Sequence, residues 1–219
     1  GPQNKAHIIE FWKDVVLAED VSLIVNLCEK VGSSDHCWWS FQCDKYWPIE
    51  ANETQLAFED ERAAIQVVKH CQTQLSLHLQ EYALEVTVEA GGITRAKEVR
   101  LLHFHGWPDC YTPTENEDQA KGFHQLIFTL TRFYKAVPCQ KALVHCRQGH
   151  GRTGSTLLIL TRLLQQLHGT AEAMTNSATL TALRQQRRYL VEFDDQYEFA
   201  TTFPGTERGK AVLRQLKGK

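Results

Sequence analysis

A cysteine and an arginine share one short loop in His145-Cys146-Arg147-Gln148-Gly149-His150-Gly151-Arg152-Thr153-Gly154, and that combination is suited to phosphoryl transfer. Upstream, Lys141-Ala142-Leu143-Val144 is a short apolar run that predicts a buried strand. Downstream, Leu157, Leu158, Leu160, Leu163, Leu164 and Leu167 recur at helical spacing. A loop feeding a helix start aims several unpaired backbone N–H groups at one spot, where the helix dipole adds positive charge. Gly149, Gly151 and Gly154 allow those groups to curl into a nest for phosphate oxygens. Arg152 adds a planar, two-pronged donor, so Arg147, Gln148, Gly149, His150, Gly151 and Arg152 form the expected phosphate-binding set. At the floor of the nest, Cys146 is expected to be a thiolate and a nucleophile near neutral pH. The Thr153 hydroxyl is placed to hydrogen-bond that sulfur and help it leave in a second step.

Cleaving a phosphate monoester also needs a proton on the leaving oxygen. Asp109, in Trp107-Pro108-Asp109 ahead of the loop-like Cys110-Tyr111-Thr112-Pro113-Thr114, is the candidate acid. Cys146 would attack phosphorus in line while Arg152 and the loop amides hold the equatorial oxygens. Asp109 would then act as base for the water that hydrolyses the phosphocysteine. Neither a metal nor a cofactor is needed, and the histidines besides His145 show no zinc-type spacing. The simpler alternative, a buried structural cysteine, does not account for three glycines, a preceding His and a following Thr-Gly. Rhodanese-type sulfurtransferases and arsenate reductases also use cysteine loops of this size, but not this full string.

The chain has 219 residues, 42% of them hydrophobic, which fits one α/β domain over residues 1–219. Its formal net charge of −2 is interspersed along the sequence, giving no footprint for nucleic acid or an acidic membrane. Seven scattered cysteines and the lack of a secretory pattern at the start predict a reducing, cytoplasmic setting, and no apolar run approaches membrane-spanning length. Periodicity predicts helices near 6–17, 60–72, 117–135, 153–168, 177–188 and 195–203. Strands are expected at 21–28, in paired short segments near 41–47 and 55–58, at 82–89 and 98–104 across Gly91-Gly92, and at 141–145. The basic stretch 205–219 is expected to be a solvated face. Strands in the middle with helices to either side imply a twisted mixed β-sheet flanked by helices on both faces.

The string His145–Gly154 resembles the HCxxGxGRTG signature of the protein tyrosine phosphatase family, and other segments agree with it. His103 through Asp109 resembles the family's mobile acid loop, Phe11-Trp12 with Ile24-Val25-Asn26-Leu27 its FW…IV-L segment, and Cys43 through Pro48 its CxxYWP segment. Leu183 through Arg187 and Asp194 through Phe199 resemble its LRxQR…QYxF stretch, so the likeness runs from about residue 8 to 203. It implies dephosphorylation of phosphotyrosine proteins, with Trp107 at the hinge side of the acid loop. It also implies that His145 braces the cysteine loop and that Gln196 positions substrate and the hydrolytic water.

Some positions depart from the family. Glu192 stands where a second glutamine is implied. It can accept a hydrogen bond from water but carries charge beside a phosphoenzyme, which predicts hydrolysis that is slowed or differently arranged; on charge alone, Glu192→Gln should speed it. Gln42 replaces a usual lysine, and the glutamate that pairs with the signature arginine has no clear counterpart, leaving Asp35 or Glu29 as substitutes. The phosphotyrosine-recognition loop, which lies upstream of the Phe-Trp segment, is not found, so either the sequence is shortened or the substrate is gripped differently. Arg147 and His150 add basic groups at the rim, which leaves a phosphoinositide or a doubly phosphorylated peptide as an alternative substrate. A phosphoprotein-binding pseudophosphatase is the alternative outside catalysis, opposed by the presence of Cys146, Arg152 and Asp109 together.

Overall fold

The computed structural model describes residues 2–31, 42–114, 116–136, 139–170 and 174–218. Helix α1 (Pro2–Glu10) runs on as a π-helical stretch (Phe11–Leu17) and leads into strand β1 (Val21–Asn26). Strands β2 (Lys30–Val31) and β3 (Gln42–Cys43) form a small parallel pair. Then come β4 (Gln55–Glu59), β5 (Ala64–Ser76), β6 (Leu79–Ala90) and β7 (Ile93–Phe104), followed by α2 (Glu117–Ala136) and β8 (Lys141–His145). Helices α3 (Gly151–Leu167), α4 (Asn176–Gln186), α5 (Asp194–Thr202) and α6 (Glu207–Lys217) complete the chain.

The main sheet has six strands in the order β4-β5-β6-β7-β1-β8. Its β4–β7 part is an antiparallel meander, whereas β1 pairs in parallel with both β7 and β8. This mixed sheet matches the expected fold class, with an apolar core on each face. One core joins Leu23, Val25, Leu102 and Phe104 to α2 and α3 through Phe123, Leu126, Ile159 and Leu163. The other sets Trp12, Val16, Trp47 and Tyr82 over Ile24, Val86 and Leu101.

The parallel part of the sheet positions the site. Asn26 at the end of β1 is in register with His103 of β7 and with His145 of β8. The chain therefore leaves β7 toward the acid loop, and β8 toward the cysteine loop, at the same sheet end and two strand spacings, about 10 Å, apart. Loops beyond the carboxyl ends of parallel strands are the usual binding crevice of such sheets.

Two sequence expectations need correction. The helix expected near 60–72 is strand β5: Ile65 and Val67 are buried while Gln66 faces solvent, a two-residue period rich in β-branched side chains. The short segments near 41–47 and 55–58 do not pair with each other, since β3 pairs with β2 and β4 with β5. The basic stretch 205–219 holds a helix, α6, capped by Thr206 and anchored through buried Val212 and Leu216. Lys210, Arg214 and Lys217 are exposed, as expected of a solvated face, and Arg208 is half-buried. The hairpin at Gly91-Gly92 is present, with φ of +57° and +77°, values that a two-residue turn of this hand requires and glycine supplies.

Candidate active site

The cysteine loop folds as a nest because its glycines permit it. Gly149 has φ +72°, and a Cβ there would lie 2.8 Å from Arg187 Nη2. At Gly151, the first residue of α3, a Cβ would come within 2.6 Å of Gln196 Oε1. Cys146 is 8% exposed and its Sγ accepts a hydrogen bond from Thr153 Oγ1 at 3.2 Å. Burial alone would push the Cys146 thiol up. The Thr153 hydroxyl and amide, the Arg152 charge and the Gly149 amide outweigh that cost, and the thiol is held below its ordinary value.

Arg152 is 1% exposed and reaches across to the acid loop. Its Nη1 donates to the Trp107 carbonyl at 3.1 Å, and its Nη2 lies 2.9 Å from Asp109 Oδ1. Among the described residues, Nε has no hydrogen-bond partner, and Nη2 meets Asp109 as an ion pair without hydrogen-bond alignment. Buried guanidinium donors of this kind fit an oxyanion. Trp107 is fully buried edge-on to Phe123 and Phe199, with centroids 5.1 and 5.9 Å away, and its indole N–H donates to the Tyr111 carbonyl at 2.8 Å. The acid loop is thus fastened at both ends of its Trp-Pro-Asp turn.

Asp109, Cys146, Arg152, Glu192 and Gln196 line one cavity of about 180 Å³. Cys110, Arg147, Gln148 and Gly151 complete its wall, whereas the His150 ring meets Tyr189 edge-on at 5.9 Å. Gln196, 1% exposed, directs Nε2 to the Tyr111 carbonyl at 3.5 Å, and its Oε1 is buried without a partner among the described residues. Of the two carboxylates considered for pairing with Arg152, Glu29 is exposed and forms no ion pair with it. Asp35 lies outside the described residues, and Asp109 occupies the guanidinium. Among the described residues, no group of His, Cys, Asp and Glu is arranged to hold a metal ion.

His145 stands behind the loop. Its Nε2 is 2.6 Å from the Tyr46 hydroxyl and its Nδ1 is 3.2 Å from the Cys146 carbonyl. Tyr46 also accepts from Asn26 Nδ2 at 3.3 Å. These contacts are all satisfied when Tyr46 donates to Nε2 and Nδ1–H donates to the Cys146 carbonyl. Burial lowers the His145 pKa to about 4, so at neutral pH the ring orients the loop and adds no charge.

Two supports were not assigned roles from sequence. Tyr46 lies in the Cys43–Pro48 segment, and nothing in that segment points to His145. Arg187, just past the end of α4, donates from Nε to Gly149 O at 3.0 Å and from Nη2 to Gln148 O at 2.9 Å. These bonds tie back two carbonyls of the loop. Arg187→Ala is expected to lower kcat/KM on an aryl phosphate about 10²-fold through loss of loop alignment, with Tm moved by only a few degrees because the side chain is exposed. Steady-state kinetics beside a thermal melt checks this, and unaltered kinetics would rule out the pinning role.

Non-glycine residues in the left-handed region also gather here. Cys110, Tyr189 and Val191 have φ of +69°, +64° and +61°, conformations that cost on the order of 1–3 kcal/mol each and cluster at functional sites. Arg184 holds the 190–191 turn by donating to the Leu190 and Val191 carbonyls, both at 2.8 Å.

The protein-tyrosine phosphatase family model matches residues 1–203. Human receptor-type tyrosine-protein phosphatase epsilon is 26% identical over 197 residues, covering 89% of this chain and 25% of the relative. Bovine receptor-type tyrosine-protein phosphatase-like N is 29% identical over 216 residues, covering 99% of this chain and 20% of the relative. The chain thus spans about a quarter or less of these relatives' lengths. Among solved structures, a protein tyrosine phosphatase of Trypanosoma cruzi superposes with a TM-score of 0.67 at 18% identity, covering 98% of this chain and 66% of that one. The catalytic domain of human protein tyrosine phosphatase non-receptor type 18 gives 0.64 at 18% identity, over 95% and 64%. At these identities the structures establish a shared fold, and the family model reaches the cysteine loop, the acid loop and the Gln196 helix alike: this chain belongs to the protein-tyrosine phosphatase family.

Proposed function

We propose that the chain hydrolyses phosphotyrosine in proteins through a phosphocysteine on Cys146. The observation that carries this reading is the depressed Cys146 thiol in one small cavity with Arg152, itself 2.9 Å from Asp109. The thiolate attacks phosphorus, and the loop amides and Arg152 take the charge of the equatorial oxygens. Asp109 protonates the leaving phenolic oxygen. Thr153, donating to Sγ, stabilises the thiolate as it departs in the second step, while His145 and Arg187 hold the loop in shape. The reaction as drawn uses no metal or cofactor.

The relatives are named as tyrosine phosphatases, which favours protein phosphotyrosine over a phosphoinositide. A single domain over 1–219 and a reducing, cytoplasmic compartment fit a low-pKa thiolate that oxidants would inactivate. Among the described residues, no helix is long and apolar enough to cross a membrane. Asp109→Ala, which removes the acid and keeps the nucleophile, should trap phosphotyrosine proteins in a pull-down. The unaltered chain should show a higher kcat/KM on a phosphotyrosine peptide than on soluble inositol phosphates. The reverse preference would favour the phosphoinositide alternative, and tight binding without any turnover the pseudophosphatase.

A further inference from the structure

We propose that His78, in the turn between β5 and β6, is a positioning residue for the general acid: it seats the acid loop at Gly106 and so sets the place of Asp109 over Cys146. The inference rests on the phosphatase reading above, in which Asp109 protonates the leaving oxygen.

Register brings this turn to the site. Strands β6 and β7 pair with Leu79 opposite Phe104, at the sheet end where the chain leaves β7 for the acid loop. One residue further out, the His105 amide donates to the His78 carbonyl at 3.0 Å, which ties the turn to the loop. The turn is itself held: Ser76 pairs with Leu79 across it, and Gln74 Nε2 donates to the carbonyls of Ser76 and of Leu77, the latter at 3.3 Å. On its other side it rests on α2, where a Cβ at Gly122 would lie 2.9 Å from Ser76 Oγ and 3.5 Å from His78 Cβ. The next residue of α2, Phe123, is the one that meets Trp107 edge-on. Turn, helix and acid loop are thus one packed unit, through which a local displacement is transmitted.

The contact between His78 and the loop is one of shape. A Cβ at Gly106 would lie 2.7 Å from His78 Cβ, 2.9 Å from its Cγ and 3.1 Å from Phe104 Cε2, whereas carbon atoms pack at about 3.5–4.0 Å. Any side chain at position 106 therefore has to lift the loop off His78 by roughly 1 Å. The His78 ring meets the His105 ring edge-on at 5.2 Å, and its Nδ1 is buried without a hydrogen-bond partner among the described residues, so packing fixes the pair. Burial first, and His78 second, lower the His105 pKa, with Glu29 opposing; near neutral pH that ring is uncharged and the two pack without repulsion. Little slack separates the seat from the acid, because Trp107 is fully buried and the ring of Pro108 fixes its own φ. A shift at Gly106 is carried to the Asp109 carboxyl three residues on, and a proton donor misplaced by about 1 Å loses much of its effect.

Gly106→Ala introduces that clash into the full chain, and substrates that differ in leaving group show whether the acid is what moves. On phenyl phosphate, whose leaving oxygen needs a proton, kcat/KM is expected to fall about 10²-fold. On 2,4-dinitrophenyl phosphate, whose leaving oxygen departs without one, it should fall about threefold or less. His78→Gly removes both of the closest atoms, so adding it to Gly106→Ala should restore the phenyl phosphate rate by about 10-fold, a coupling opposite in sign to two independent losses. Alone, His78→Gly leaves the loop without its seat and should cost roughly 10-fold on phenyl phosphate; His78→Phe, which rebuilds Cβ, Cγ and an edge-on ring, should recover that loss. The latter two variants decide the matter on the same pair of substrates should a thermal melt show that Gly106→Ala does not fold. Equal losses on the two substrates, or losses that simply add in the double variant, would overturn the assignment. If the unaltered chain shows no Cys146-dependent turnover, the phosphatase reading fails and this inference fails with it, an outcome seen before any variant at position 78 or 106 is made.

Discussion

Replacing Cys146 with serine is expected to reduce turnover of an aryl phosphate by about 10⁴- to 10⁶-fold, the scale seen when a covalent nucleophile is removed. The cause lies in the loop that surrounds the sulfur. The Thr153 hydroxyl and amide, Arg152 and the Gly149 amide together outweigh the cost of burial and keep the thiol below its ordinary value. The same groups cannot bring a serine hydroxyl, which starts far higher, to its anionic form near neutral pH. Substrate binding should survive, because Arg152 and the loop amides are untouched, so KM should change far less than kcat. A phosphotyrosine peptide that binds the serine variant with near-normal affinity while turnover vanishes is the expected pair of results. For the unaltered enzyme the thiolate is the reactive form, so kcat/KM should fall as pH drops and Cys146 protonates. That acidic limb should lie below the range of an ordinary thiol; a limb centred at the ordinary thiol value would show that the nest does not stabilise the anion.

Much of this site is legible in sequence because it is local. Residues 145–154 carry the nucleophile, the guanidinium and the glycines in one uninterrupted string, and the strand before it and the helix after it follow from apolar periodicity. The span predicted for β8 agrees with the structure, and those of α2 and α3 lie within two residues of it at each end. What the string cannot convey is contact at long range. Arg187 bonds Gly149 and Gln148 across 38 and 39 residues, and Tyr46 meets His145 across 99, with no periodic signal linking the partners. Strand β5 reads as a helix in sequence for a different reason. It lies toward the solvated end of the meander, where only Ile65 and Val67 are buried within a polar run, so composition outweighed its alternation. Pairing of Arg152 with Asp109 was likewise invisible, since each residue already had its own part in the chemistry and nothing in their spacing joined them.

Arg152→Lys tests whether geometry or charge alone serves the transition state. Arg152 makes two contacts through separate nitrogens, a hydrogen bond from Nη1 to the Trp107 carbonyl and an ion pair from Nη2 to Asp109, while a third nitrogen, Nε, is buried without a hydrogen-bond partner among the described residues. A planar fork can hold two equatorial phosphoryl oxygens and the acid loop together; a lysine supplies one compact charge on a flexible stem and cannot span them. The expected loss in kcat is about 10³-fold, equivalent to ~4 kcal/mol of transition-state stabilisation. KM should rise less, because the loop amides still bind the ground-state phosphate. A second readout separates this from simple misfolding: with the bond to Trp107 O gone, indole fluorescence should report a looser acid loop while the overall melting transition stays cooperative. A lysine variant keeping a tenth or more of the original kcat would mean that positive charge suffices, and that the clamp joining the guanidinium to the acid loop contributes little to the chemistry.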